Sequence, residues 1–214
     1  SASNIFAVQD EITEQVVATI ASDFGVISRA RLAEVREKPT DNLDAYECVL
    51  QTLAYYRGSP GAPGHARLRD ALERAVESDS NYAEAWACLS MIYLDEYTLN
   101  YSPRPDPLDR ALEAARRAVA ADPASERARL ALTHVYFCRH ELEAFLAEAE
   151  RAMTLNPNNV EALAMIGLLL ATVGDERGIA FSRKAMTIDP LHPTWYHIAT
   201  VDHHFFRGEY EEAL

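Results

Sequence analysis

Apolar residues recur along this chain in two rhythms. The short rhythm is helical. Ile5, Val8, Ile12, Val16, Ile20, Phe24 and Ile27 follow steps of three and four, the stripe of one long amphipathic helix over residues 4–37. Lys38-Pro39 ends it, because the residue before a proline is driven out of helical backbone. After Thr40-Asp41-Asn42 the stripe resumes at Leu43, Tyr46, Val49, Leu50 and Leu53. Glycines 58, 61 and 64, set among prolines, predict a loop, and residues 65–78 a second helix.

The long rhythm is a recurring block. Arg116-Arg117-Ala118-Val119-Ala120-Ala121-Asp122-Pro123 returns as Glu150-Arg151-Ala152-Met153-Thr154-Leu155-Asn156-Pro157 and as Arg183-Lys184-Ala185-Met186-Thr187-Ile188-Asp189-Pro190. A weaker copy ends at Ser80. The three prolines stand 34 and 33 residues apart, the period of a helical repeat array. Counted from each block end, the ninth residue is Leu89, Leu132, Ile166 or Ala199, and the tenth is Ser90, Thr133, Gly167 or Thr200, all slim. Ala75, Ala118, Ala152 and Ala185 each stand five before a block end. Small residues at fixed places let two helices approach closely, and large ones beside them fill the groove. The pattern predicts αα-hairpins packed on further αα-hairpins.

Trp86, Leu89, Tyr93, Ala111, Ala118 and Pro123 in one repeat, and Leu163, Ile166, Gly167, Gly174, Ala185 and Pro190 in another, resemble the tetratricopeptide repeat. Ser90 and Thr133 depart from its glycine, Arg129 from its aromatic, and Phe145 from its small residue. The resemblance implies an all-α, right-handed superhelical array of αα-hairpins preceded by one long helix. The expected divisions are 1–40 for that helix, a candidate linker or dimerisation element, and 41–80 for a degenerate first hairpin. Repeats follow at 81–124, 125–158 and 159–191, with a truncated one at 192–214. The repeat at 81–124 carries nine extra residues, expected as a loop at about 96–107.

Asn4-Ile5-Phe6-Ala7-Val8-Gln9-Asp10-Glu11-Ile12, with Lys38-Pro39 and Asn42-Leu43-Asp44-Ala45-Tyr46-Glu47, resembles a junction in multidomain bacterial regulators. There the helix and repeat array follow an effector domain, a class III adenylate/guanylate cyclase or a winged-helix DNA-binding domain. The resemblance implies a non-catalytic regulatory region of a cyclase-type signalling protein, with a winged-helix transcriptional regulator or a stand-alone repeat scaffold as alternatives. The closing residues 209–214 read as the start of a further helix, so the chain is expected to be part of a longer one.

Such arrays hold peptide segments in a concave groove lined by the first helix of each hairpin. The implied groove positions are Glu84, Ala87, Met91 and Leu94; Arg127, Leu130, His134 and Phe137; Glu161, Ala164, Leu168 and Ala171; and Thr194, His197, Val201 and His204. Members that clamp a peptide's terminal carboxylate use Lys and Asn there, and none of these sixteen is either. Arg127 is the one strong cation among them. The expected ligand is therefore an apolar helix or extended segment. It comes from a partner protein, from the chain's own effector domain or from its residue 4–37 helix, and a homodimer stays open.

Composition narrows the chemistry. The 214 residues carry a net charge of −13, which opposes binding to nucleic acid. Cys48, Cys88 and Cys138 are odd in number and show no CxxC spacing, so they read as buried residues of a reducing, cytoplasmic protein. The apolar run from Ala162 to Val173 is too short to span a bilayer. His192, His197, His203 and His204 lack the spacing of a zinc helix, and no metal or cofactor is expected. The glycines at 58, 61 and 64 have no Lys-Ser/Thr after them, so no phosphate loop forms. Glu141, Glu143, Glu148 and Glu150 read as a solvated helix face, and no catalytic residue is expected.

Overall fold

The computed structural model describes residues 44–58 and 60–211. The helix expected over residues 4–37 falls outside the described residues. Every regular element among the described residues is helical, so the fold is all-α. Contacts divide the chain into two compact units at the Leu155–Asn156 bond, and each is described by itself.

The first unit holds α1 (Ala45–Arg57), α2 (Ala62–Ser78), α3 (Ala83–Thr98), α4 (Pro107–Ala121), α5 (Glu126–Cys138) and α6 (Leu142–Leu155). Helices pair in sequence, α1 with α2, α3 with α4 and α5 with α6. First helices also pack on one another, α1 on α3 and α3 on α5. Caps set the starts. Asp44 accepts from the Glu47 amide at 2.8 Å and Ser125 Oγ from the Ala128 amide at 3.1 Å. Proline opens α4 at Pro107 and stands second in α2 at Pro63, positions that need no backbone N–H.

The second unit holds α7 (Val160–Thr172), α8 (Arg177–Ile188), a 3-10 turn at Thr194–His197 and α9 (Ile198–Phe206). Asn159 caps α7 through the Ala162 amide at 2.9 Å. Here α7 pairs with α8, and α9 packs on α7.

The recurring block is one turn built four times. The Asp or Asn side chain of each block accepts from the amide two residues on: Asp79 from Asn81, Asp122 from Ala124, Asn156 from Asn158 and Asp189 from Leu191, at 2.9–3.1 Å. Its backbone carbonyl accepts from the amide three residues on, at Tyr82, Ser125, Asn159 and His192. The side chain and the carbonyl therefore supply acceptors for amides that lose their helical partners as the chain reverses. In two cases that third residue, Ser125 or Asn159, is also the cap of the next helix. In the fourth it is His192, which has no such cap to offer, and the chain enters α9 through a 3-10 turn.

The departures from the repeat pattern have local causes. Ser90 is buried and donates to the Ala111 carbonyl at 2.8 Å, so a hydroxyl takes up the space between α3 and α4. Gly167 lies so close to α8 that an added Cβ would stand 2.5 Å from Ser182 Oγ and 2.8 Å from the Gly178 carbonyl. Arg129 repeats what Trp86 does. Trp86 Nε1 donates to the Ser80 carbonyl at 2.9 Å, and the Arg129 guanidinium donates to the Pro123 carbonyl at 3.2–3.3 Å. Phe145 is fully buried, edge-on to Phe137 at 5.7 Å.

One expectation is corrected. Glu148 does not lie on a solvated face: it is buried between Arg129, at 3.0 Å, and Arg151. Arg129 in the aromatic slot brings the cation that makes a buried carboxylate tolerable there. Glu143 and Glu150 are exposed.

Gly167→Val is expected to destabilise the protein by about 2 kcal/mol or more in urea unfolding, since backbone and a buried side chain must both give way. Gly61→Ala, at an extended position with nothing within 4 Å of the added Cβ, serves as the silent control.

Candidate peptide-binding face

The first-helix positions expected to line a groove differ in access. In the first unit, Glu84, Met91, Arg127, His134 and Phe137 are half-buried, whereas Ala87, Leu94 and Leu130 are buried. In the second unit, Glu161, Leu168, Ala171 and His204 are half-buried, Ala164 is buried, and Thr194, His197 and Val201 are exposed.

Two small groups form within the first unit. Arg127 gives its Nε to Glu84 Oε2 at 2.5 Å, and Ser125 Oγ donates to Glu84 Oε1 at 2.7 Å. The one strong cation of the face thus arrives already paired with a carboxylate from the preceding repeat. Two turns along, the His134 ring leans on Phe137 at 6.5 Å, and Phe137 leans on Phe145. His134 Nδ1 has no hydrogen-bond partner. Burial pushes the His134 ring down to about 4, so it is neutral at physiological pH. The face between α3 and α5 is accordingly apolar and aromatic, with its charge confined to the Glu84–Arg127 pair.

In the second unit, His204 Nδ1 meets Glu209 Oε2 at 2.8 Å, and His197 Nε2 meets His192 Nε2 at 3.1 Å. Both contacts tie first-helix residues to neighbouring turns of chain.

A polar cluster that the sequence did not reveal lies where α1, α2 and α3 meet the segment 99–106. Glu96 is fully buried and accepts from Arg69 at 2.9 Å, from the Arg104 amide at 3.0 Å and from Arg110. Burial alone would raise its pKa, but these donors outweigh it and hold the carboxyl below its ordinary value. The Arg104 guanidinium reaches Glu73 at 3.0 Å and Asp70 at 2.9 Å, and Arg69 also donates to the Ser102 carbonyl at 2.9 Å. Asn100, Ser102 and Asp106 all have left-handed backbone, at φ of 47–55°. The arginine contacts hold that strained path in place. Asp95, one residue before Glu96, is buried with a hydrogen bond from Tyr56 at 2.9 Å, and burial pushes its carboxyl up to about 6. The sequence signal for this cluster was the nine-residue insertion itself, whose partners Arg69, Asp70 and Glu73 lie about thirty residues upstream on α2.

Among the described residues the three cysteines are buried and free of disulfides. Burial pushes the Cys48 and Cys138 thiols up to about 11, so neither is poised as a nucleophile. No described helix is long and apolar enough to cross a membrane.

The architecture has counterparts among solved structures. One is TTC0263, a thermophilic tetratricopeptide-repeat protein of Thermus thermophilus. It is 18% identical with a TM-score of 0.63, over 79% of this chain and 86% of that one. Another is PilF of Pseudomonas aeruginosa, 18% identical with a TM-score of 0.56, over 82% of this chain and 74% of that one. The fold is thus that of the tetratricopeptide-repeat solenoid. No protein-family model matches the sequence. No curated protein matches it either.

Asp95 generates a prediction about pH. Its folded pKa lies above the unfolded one, so the native state holds the proton more tightly and stability falls as pH rises through about 6. Asp95→Asn keeps an acceptor for Tyr56 and removes the buried charge. It is expected to raise Tm at pH 7.5, by up to about 3 kcal/mol of stability, and to leave Tm at pH 4 nearly unchanged. Thermal unfolding followed by circular dichroism at the two pH values checks this.

Proposed function

We propose that this chain is a protein–protein interaction module that is not catalytic in itself, and that its ligand is an apolar helix or extended peptide seated on first-helix faces. The observation that carries the reading is the face between α3 and α5. Met91, Phe137 and a neutral His134 stand half-buried there, and Arg127, which would hold a ligand's carboxylate, is engaged by Glu84. A half-buried apolar face gains by burial, at about 25 cal/mol for each Å² removed from water. A charged peptide terminus would have to break the Glu84–Arg127 pair to be held.

The finer form of the proposal rests on the junction motif of residues 4–47. It makes this chain the regulatory region of an adenylate cyclase-type signalling protein. Partner binding on the repeat array then controls or places the effector, and the apolar stripe of residues 4–37 is a candidate occupant or dimer contact.

Peptide selection by phage display on the full chain tests the binding mode. Enrichment of apolar peptides without a required free C-terminus is expected. Met91→Glu, on α3, and Phe137→Ala, on α5, are each expected to weaken the selected peptides about tenfold or more, with helicity unchanged. Enrichment of acidic C-terminal sequences, or binding indifferent to both substitutions, would remove the proposal.

A further inference from the structure

We propose that His192 and His197 form a two-histidine site for a borderline divalent metal ion, with Zn2+ as its representative. Their Nε2 atoms stand 3.1 Å apart. With metal–nitrogen bonds of about 2.0–2.1 Å, one ion bridging that gap would subtend an angle of about 100°, between square and tetrahedral geometry. The two nitrogens already have the separation of ligands on a single ion.

The surroundings orient them. His192 Nδ1 lies 2.7 Å from the Asp189 carbonyl, which only accepts, so Nδ1 carries the proton and Nε2 keeps its lone pair. A ring nitrogen anchored on a carbonyl while the other faces outward is the arrangement that prepares an imidazole for a metal. The His192 ring is also stacked on Tyr196, at 5.7 Å and 16°, and Tyr196 is buried. The His192 backbone amide bonds the same Asp189 carbonyl at 3.2 Å, in the block turn. His197, at the end of the 3-10 turn, is exposed.

Without metal, His197 donates Nε2–H to His192 Nε2. To bind, neutral His197 moves its proton to Nδ1, and both Nε2 lone pairs then face the ion with no net proton released. No group of three or more His, Cys, Asp and Glu converges on a metal among the described residues. The remaining coordination positions are therefore left to water or to a donor from a partner. The bound ion would fasten the turn that closes α8 to the turn that opens α9. Helical spacing alone gives no hint of this pair, because Pro193 and the 3-10 turn lie between its members.

Zinc titration of the full chain by calorimetry, with histidine-ring nitrogen NMR, tests the site independently of any peptide ligand. One saturable site is expected, with both the His192 and His197 Nε2 signals shifting. His197→Ala, at an exposed position, is expected to weaken zinc at least about tenfold with unchanged circular dichroism, and His192→Ala to do the same. His203→Ala is expected to bind like the parent. No saturable binding, equal binding by His197→Ala and the parent, or shifts confined to other histidines would overturn the proposal.

Discussion

Each repeat depends on how its second helix ends. A helix terminus leaves its last carbonyls without internal partners, and a chain that reverses there must also find acceptors for the amides that follow. In this protein a short polar side chain takes the next free amide, and its own carbonyl takes the one after, at four successive blocks. The carbonyl at the block end then receives a donor from the next hairpin: Trp86 to Ser80, Arg129 to Pro123 and Lys184 to Pro157. The donors differ in chemistry and in the helix that carries them. The requirement that the carbonyl be met does not change. The alanine five residues earlier is buried in all four blocks, which lets the helices come close enough for those donors to reach.

This explains which parts of the structure the sequence displays and which it hides. Helix identity, hairpin order and the small-residue positions follow from periodicity, because burial is a property of position along a helix. Arg129 looks like a defect when set against an aromatic pattern, yet it does the work of Trp86 and in doing so permits a buried carboxylate at Glu148. A pattern of residue types records the usual solution to a packing problem. It does not record the problem, so a second solution reads as a departure. The cluster around Glu96 is hidden for another reason. Its members come from α2, α3, the following segment and α4, and no periodicity links residues so widely spaced.

The candidate face was legible as a set of positions but not as a set of accessible side chains. Counting from the block ends treats every first helix as equally presented. Burial then separates Met91 and Phe137 from Leu94 and Leu130, because α1, α3 and α5 pack on one another and each covers part of its neighbour. The charge on the face was legible in kind and not in state. Arg127 is visible as a cation, but its engagement by a carboxylate from the preceding repeat appears only once the helices are stacked.

The acidic surplus acquires a structural meaning in this light. Several of the carboxylates with the least access to water, Glu96, Glu148 and partly Glu84, are each met by at least one arginine, while Asp95 is left with a single hydroxyl. Five arginines, Arg69, Arg110, Arg127, Arg129 and Arg151, serve these pairs. The chain as a whole carries a net charge of −13, which repels other acidic surfaces. On the function proposed above, a ligand for the first-helix faces would have to approach a negative protein and settle on neutral, apolar side chains. Those two conditions together select a segment that is apolar on one side and neutral or basic on the other. That is the amphipathic character expected of a helix from a partner protein, and a free acidic terminus does not have it.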